Sequence, residues 1–463
     1  MSTVSTPDTR LPIAIIGGGL TGLAAAYRLT RAGRAVRLFE AGPRVGGAVR
    51  SERVGDWLVE AGPNSLQENS AALSGLIAEL GLDDERCYAS PAAKNRYILR
   101  DGRPQAAPTS PPGLFSSKLV SAGAKFRLFA ELLHRRVQRT EDVSLAAFVA
   151  DHFGQEWVDY GLNPFVSGIY AGDPEALSAR HAFPSLWEAE RTHGSIIRAQ
   201  IASAKAKRAR GEAKGPPRIL SFREGLEALP RALAARLPVG SVELNARVTQ
   251  VMPGSPWQLA WTRGDLRQVE TFAAVIAGLP AAGLSRLEFG PERRRPLGGL
   301  DAIPYPPVTS LFLGYARDQV GHPLDGFGML IPAKERRRLL GVLFSSSLFP
   351  RRAPDGHVAL TVMLGGVRHP EVAQLPLPEL LALARSELGD LLGVTGEPVF
   401  VRHTLWPRAI PQYVLGYERH LDTLDRCEGE HPGFFIAGQV RDGIAMSACL
   451  AAGQRHAERV LAS

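Results

Sequence analysis

Apolar and polar positions along the chain fall into runs that predict alternating strands and helices. Ile13 to Ile16 form a short β-branched run, glycines follow at once, and Leu20 to Leu29 carry apolar residues at helical spacing. Ala35 to Phe39 then resume an apolar strand, so the chain opens as strand, turn, helix, strand. Ser70 to Leu80 predicts a helix stopped by Gly81, and Asn95 to Leu99 a strand entering a turn at Asp101 and Gly102. Residues 103–113, RPQAAPTSPPG, read as a proline-rich loop. Leu114 to Arg136 predicts one amphipathic helix, with Leu119, Phe126, Leu128, Phe129, Leu132 and Leu133 among Lys118, Lys125, Arg127 and Arg135. The expected arrangement turns its apolar side to the core and its basic side to solvent, although the same pattern suits a helix lying on a membrane surface. Residues 144–202 look mostly helical around the loop SGIYAGDP at 167–174.

Further on, Leu226 to Arg236 predicts a helix, Val242 to Val251 and Trp257 to Trp261 short strands, and Phe272 to Gly278 a buried strand of the first sheet. Thr309 to Ala316, Val342 to Ser345 and His357 to Leu364 suggest a second, largely antiparallel sheet. Gly433 to Gly438 is another buried strand leading into a helix over about Met446 to Leu461, which can bring a second helix N-terminus back to the first domain. The basic tract AKAKRARGEAKGPPR, ending at Arg218, is expected to be a solvated connection, because it holds no aromatic residue to stack on a base.

The glycines after the first strand fit G-x-G-x-x-G within the run Gly17, Gly18, Gly19, Leu20, Thr21, Gly22. Gly17 permits a tight turn, Gly19 lets the backbone approach a pyrophosphate, and Gly22 lets helix and strand pack closely. Phosphates are expected on the positive end of the helix that starts there. Glu40 closes the second strand near the offset at which a carboxylate meets ribose hydroxyls, which favours an unphosphorylated 2'-hydroxyl. The motif points to a dinucleotide and leaves FAD and NAD open.

A length of 463 residues suggests two or three domains. The net charge of +8 suits nucleic acid, an anionic membrane or an anionic small substrate without deciding among them. Cys87, Cys427 and Cys449 are too few and too scattered for a disulfide framework or structural zinc. The eleven histidines show no ligand spacing, so no metal is expected. The N-terminal stretch has no apolar h-region and no run of 18 apolar residues occurs, which predicts a cytoplasmic protein without a spanning helix.

E-x-x-x-R-x-G-G at 40–47, with Arg44 and Gly47, followed by EAGPNS at 60–65, resembles the flavin-dependent amine oxidase superfamily and turns the dinucleotide to FAD. EAGPNS, NRYILRDG at 95–102, SGIYAGDPEALS at 167–178, GSII at 194–197, GFGMLIP at 326–332, FSSSLFPRRAP at 344–354, WPRAIPQY at 406–413 and the late GFFIAGQ together resemble the protoporphyrinogen oxidases along almost the whole chain. The resemblance implies an α/β fold with a Rossmann-like, p-hydroxybenzoate-hydroxylase-like FAD domain assembled from residues 10–90, 215–290 and 400–463. It also implies a helical domain at 91–214, which meets the membrane in many members, and a sheet-based substrate domain at 291–399. The implied reaction is six-electron oxidation of protoporphyrinogen IX to protoporphyrin IX, with three O2 giving three H2O2. Most of that chemistry belongs to the flavin, so no catalytic acid or base is assigned.

Carried onto this chain, the FAD contacts implied are Gly17 to Gly22, Glu40, Arg44, Gly47, Gly62 and Pro63, with Val248 at the adenine end. Trp406, Gly438, Ile444, Ala445 and Met446 are implied near the ring. The family's substrate-binding arginine falls at Arg96, where a guanidinium matches a propionate, and Gly168, Leu330 and Phe344 match pocket positions. Relatives often have Asn after the late strand and an Asn-Asp-Cys or Pro-Asp-Cys triplet in the last helix, where this chain has Gln439 and Ser447, Ala448, Cys449. Coproporphyrinogen III oxidation, an amine oxidase or carotenoid desaturase, and a non-enzymatic basic binding protein are the competing readings. A nucleic-acid partner is not expected; a homodimer and peripheral contact with the inner face of a membrane are left open.

Overall fold

The structure, a computed structural model, describes residues 11–108, 110–134, 139–209 and 218–463. Residues 1–10, residue 109 of the proline-rich loop, Arg135 and Arg136 of the predicted amphipathic helix, and residues 210–217 of the basic tract lie outside the described residues. The apolar run Ile13–Ile16 forms β1, the central strand of a five-stranded sheet. Its neighbours are β2 (Val36–Phe39) on one side and Ala274–Ala277 on the other, with Val242–Glu243 and Phe434–Ile436 at the edges, all paired in parallel. A parallel sheet is covered on both faces, which is why all four residues of β1 are buried and why the sequence shows a continuous apolar run there. α1 (Leu20–Arg31) and the helix Met446–Ala462 cover one face together. Gly453 permits that contact, since a Cβ there would come 2.8 Å from the Ala24 Cβ. Across the sheet, Phe39 meets Trp261 at 5.5 Å and Phe272 at 5.8 Å, ring centre to ring centre.

The second large sheet has seven strands in the order Phe400–Trp406, Val308–Ala316, His357–Gly365, Leu339–Leu343, Gly326–Leu330, Asn95–Arg100, Arg103–Ala106. It is antiparallel except where Gly326–Leu330 runs parallel to Asn95–Arg100. Residues 95–106 and 400–406 therefore supply strands to this sheet, although they fall in the segments expected to be helical and FAD-binding. Sequence boundaries follow chain order, whereas strand pairing is set by partners hundreds of residues away. Leu311, Leu313, Val342, Leu360 and Val362 face the helix Leu377–Leu392 and form a closed core with it. The period-two alternation turns Ser310, Phe312, Leu343 and Thr361 to the opposite face, where Phe312 packs on Trp57 of the strand Trp57–Glu60. That face packs against residues 57–64.

The amphipathic stretch differs from the single helix predicted. It forms Pro111–Ser116, then a break, then Ala122–Ala130 running into a short turn of 3-10 helix at Glu131–Leu133. Ser121 starts the second helix, its Oγ accepting the Ala124 N–H at 3.2 Å. Leu114, Leu119, Val120 and Ala124 pack with Ile98 and Tyr160, but Phe115, Phe126 and Leu133 are 63%, 72% and 83% exposed. The apolar stripe thus divides, and its larger side chains face outward rather than into the core. No helix among the described residues is long and apolar enough to cross a membrane.

Candidate active site

At the carboxyl end of β1 the glycines behave as their spacing demands. Gly17 has φ +103°, and its N–H reaches the Phe39 carbonyl at 2.8 Å. A Cβ on Gly22 would collide with the Gly17 carbonyl, so that residue sets how closely α1 approaches the strand. A Cβ on Gly19 would meet nothing within 4 Å, and no side chain caps the N-terminus of α1 beside it. Leu20 and Thr21 form the buried first turn. The Glu40 carboxylate accepts the Gly18 N–H at 2.8 Å and the Gly42 N–H at 2.7 Å, which fixes it at the tip of β2 with acceptor capacity to spare. Gly46 N–H bonds the Gly18 carbonyl at 2.7 Å and Gly47 lies against Gly19. Arg44 shapes this loop from within, donating to the carbonyls of Val45, Gly47 and Val49 at 2.9, 2.7 and 3.1 Å. Ala246 N–H bonds the Glu40 carbonyl at 2.8 Å, drawing the strand of Val248 alongside, where the register slips between Val248 and Gln250. An uncapped helix start, open space over Gly19 and a fixed carboxylate fit the pyrophosphate and ribose of FAD.

The other end of the cradle is built from distant segments. Trp406 Nε1 donates to the Ala61 carbonyl at 2.7 Å and its ring lies over Gly62, just before Pro63. Gly438 sits against Thr21 of α1. Ile444 packs on the core, Ala445 precedes the helix that Met446 begins, and no side chain caps that helix either. Asp442, in the loop before this helix, accepts the Gly438 N–H at 2.8 Å and the Arg455 guanidinium at 2.8 Å. Burial opposes ionisation of Asp442, but the His456 and Gly438 hydrogen bonds and the charges of His456 and Arg455 outweigh it and hold its carboxyl below the usual range. The Gln439 carbonyl accepts the Tyr413 hydroxyl, and Tyr417 donates to the Val440 carbonyl at 2.9 Å, so the departure at 439 is carried by main-chain bonds.

The substrate-side residues divide. Arg96 lies exposed on its strand with its guanidinium 5.6 Å above the Phe327 ring. Gly168 and Leu330 come together: a Cβ on Gly168 would stand 2.7 Å from Leu330 Cδ2, and Leu330 pairs with Ile98, which shares a sheet face with Arg96. Phe344 does not join them. It is fully buried among Tyr97, His322 and the helix-facing core, while its neighbour Leu343 lines a cavity with Leu58, Glu60, Asn64, Phe312 and Arg352.

Two buried groups there have no part in the sequence expectations. Arg352 is 2% exposed; its Nη2 donates to Ser221 Oγ at 2.6 Å and lies 3.4 Å from Glu60 Oε1, while Nη1 has no hydrogen-bond partner. Glu60 also accepts Ser51 Oγ at 2.6 Å and the Leu226 N–H at 2.9 Å, and burial pushes its carboxyl up despite Arg352. This pair joins EAGPNS to FPRRAP, and those two motifs were the only signal for it. Arg368, donating to the Ile331 carbonyl at 2.9 Å and Ser167 Oγ at 2.8 Å, ties the Gly168 helix to the sheet, with burial pulling its proton affinity down to about 10. Nothing local in the sequence singles it out.

Residues 20–461 match the family described as flavin containing amine oxidoreductase. The chain is 35% identical to protoporphyrinogen oxidase 2, chloroplastic/mitochondrial, of Arabidopsis thaliana, over 97% of this chain and 93% of that protein. It is 25% identical to coproporphyrinogen III oxidase of Bacillus subtilis (strain 168), over 96% and 97% of the two chains. Among solved structures, a putative protoporphyrinogen oxidase from Exiguobacterium sp. 255-15 matches with a TM-score of 0.81 at 22% identity, over 98% of this chain and 99% of that one.

Proposed function

The chain belongs to the flavin containing amine oxidoreductase family, and from that premise we propose that it is an FAD-dependent oxidase converting protoporphyrinogen IX to protoporphyrin IX in haem biosynthesis, with dioxygen as electron acceptor. The observation that carries this reading is the meeting of two surfaces at the cavity lined by Asn64, Phe312 and Leu343: a dinucleotide cradle ending at Gly62 and Trp406, and a sheet face that also holds Arg96, Ile98 and Leu330. The identity with the plant relative selects a porphyrinogen as what lies between them.

FAD supplies hydride acceptance and onward electron transfer when bound; the protein supplies binding, orientation and exclusion of water. Glu40 holds ribose hydroxyls and the α1 N-terminus holds phosphate. Arg96 takes a propionate by paired N–H donors, and Gly168 with Leu330 forms an apolar wall for a flat macrocycle. The outward Phe115, Phe126, Phe129 and Leu133, beside Lys118 and Lys125, suit peripheral contact with an anionic membrane, which fits a poorly soluble product.

Anaerobic mixing of the FAD-supplied enzyme with each porphyrinogen tests the proposal. Bleaching of the flavin is expected on anaerobic mixing with protoporphyrinogen IX, and growth of porphyrin fluorescence once O2 is admitted to reoxidise the flavin through three two-electron rounds. Faster turnover of coproporphyrinogen III transfers the assignment to the activity named for the Bacillus relative, and an unbleached flavin with both substrates ends it.

A further inference from the structure

Away from the cradle, three chain segments run side by side and leave three ligand-type atoms facing one another. Ser144 bridges Ser178, and Leu177 bridges Val414. Ala179 N–H bonds the Val143 carbonyl at 3.0 Å, Ser178 N–H the Tyr413 carbonyl at 2.8 Å, and Leu415 N–H the Ala176 carbonyl at 3.0 Å. Asp142 enters this junction just before the helix Leu145–Phe153, His181 lies in the short helix Ala179–Ala182, and Glu418 opens the helix Glu418–Glu430. His181 is further placed by its own N–H, which bonds Ser178 Oγ at 3.0 Å.

The His181 Nε2 and one oxygen each of Asp142 and Glu418 all lie within 4.8 Å of one another. Asp142 Oδ2, His181 Nε2 and Glu418 Oε2 are shielded from solvent, and none has a hydrogen-bond partner. The His181 side chain as a whole is only 11% exposed. Buried polar atoms are almost always partnered, so three orphans converging on one point call for a common partner. The His181 to Glu418 separation is 3.4 Å, and two ligands on a tetrahedral zinc stand about 3.3 Å apart. A side-chain rotation of Asp142 completes the set.

We propose that Asp142, His181 and Glu418 form a binding site for a divalent transition cation, of which Zn2+ is the best fit. One imidazole and two carboxylates form a borderline-hard donor set suited to Zn2+, Mn2+ or Fe2+, and three protein ligands leave a position for water. Such an ion clamps the helical region to the segment Tyr413–Tyr417, whose hydroxyls hold the Gln439 and Val440 carbonyls at the flavin end of the cradle. The donors come from segments far apart in the chain, which is why histidine spacing predicts no metal.

The test uses the holoenzyme, free of any affinity tag, stripped with chelator and dialysed to equilibrium against ZnCl2, with bound metal counted by mass spectrometry and melting followed in parallel. One Zn2+ per wild-type chain is expected, with a rise in melting temperature on adding Zn2+, and both are lost in His181→Ala. Glu418→Gln keeps the shape of the junction and is expected to lose the melting response while folding normally. If the wild type takes up no more Zn2+ than His181→Ala, the proposal fails. It fails equally if Glu418→Gln binds zinc like the wild type. Neither result depends on the identity of the oxidised substrate.

Discussion

The glycine cradle and the sheet wall that meets it solve different physical problems. The cradle is built mostly of backbone: Gly17, Gly19 and Gly22 bring main chain close, and its side-chain charges are held by main chain, Arg44 by three carbonyls and Glu40 by two amides from residues within 22 positions of it. In the wall, charged side chains come from remote segments, with Arg96 exposed over Phe327 and Arg352 buried against Glu60, 292 positions away. The cradle is therefore sensitive to shape and the wall to charge.

The strongest way to break this contrast is Arg352→Met. It leaves Glu60 buried without its cation, and a loss of about 3–5 kcal/mol in urea unfolding is expected. A silent substitution would show that the wall does not depend on that charge. Next, Glu40→Gln removes a charged acceptor from the ribose and leaves one of the Gly18 and Gly42 amides without an acceptor, weakening FAD by about 1.5–3 kcal/mol in a flavin fluorescence titration. Arg96→Leu is expected to raise KM for protoporphyrinogen about tenfold with kcat nearly unchanged, the signature of lost uniform binding, worth about 1.4 kcal/mol.

The smallest effect concerns pH. Asp442 has a folded carboxyl pKa below its unfolded value of about 3.9. Its contribution to stability is thus fully present above that value and is lost as pH falls through the folded one. Urea midpoints between pH 6 and pH 3 should fall less steeply in Asp442→Asn than in the wild type.

Legibility followed the same division. Strand, turn, helix, strand and acid at the start of the chain were readable because each acts on neighbours in sequence, and β1, α1 and β2 appear where the pattern placed them. The antiparallel second sheet was readable as a type, but not its recruitment of residues 95–106 and 400–406, since pairing partners leave no local trace. The amphipathic stretch misled because a periodic apolar stripe does not say what covers it: Leu119 and Ala124 are buried, Phe126 and Leu133 are not. Phe344 lies in the closed core while its neighbour Leu343 lines the cavity beside Glu60 and Arg352, because adjacent side chains in a β-strand and its continuation take opposite faces.

By itself the sequence determined the nucleotide cradle, since glycine geometry, a helix start and a strand-end carboxylate are local consequences of residue type and order. Only the tertiary structure decided the rest: which face of the second sheet packs against residues 57–64, that Arg352 is buried on Glu60, and that Asp142, His181 and Glu418 converge. The reason is range. Backbone preference acts over a few residues, whereas burial and charge compensation act between whatever surfaces folding brings into contact.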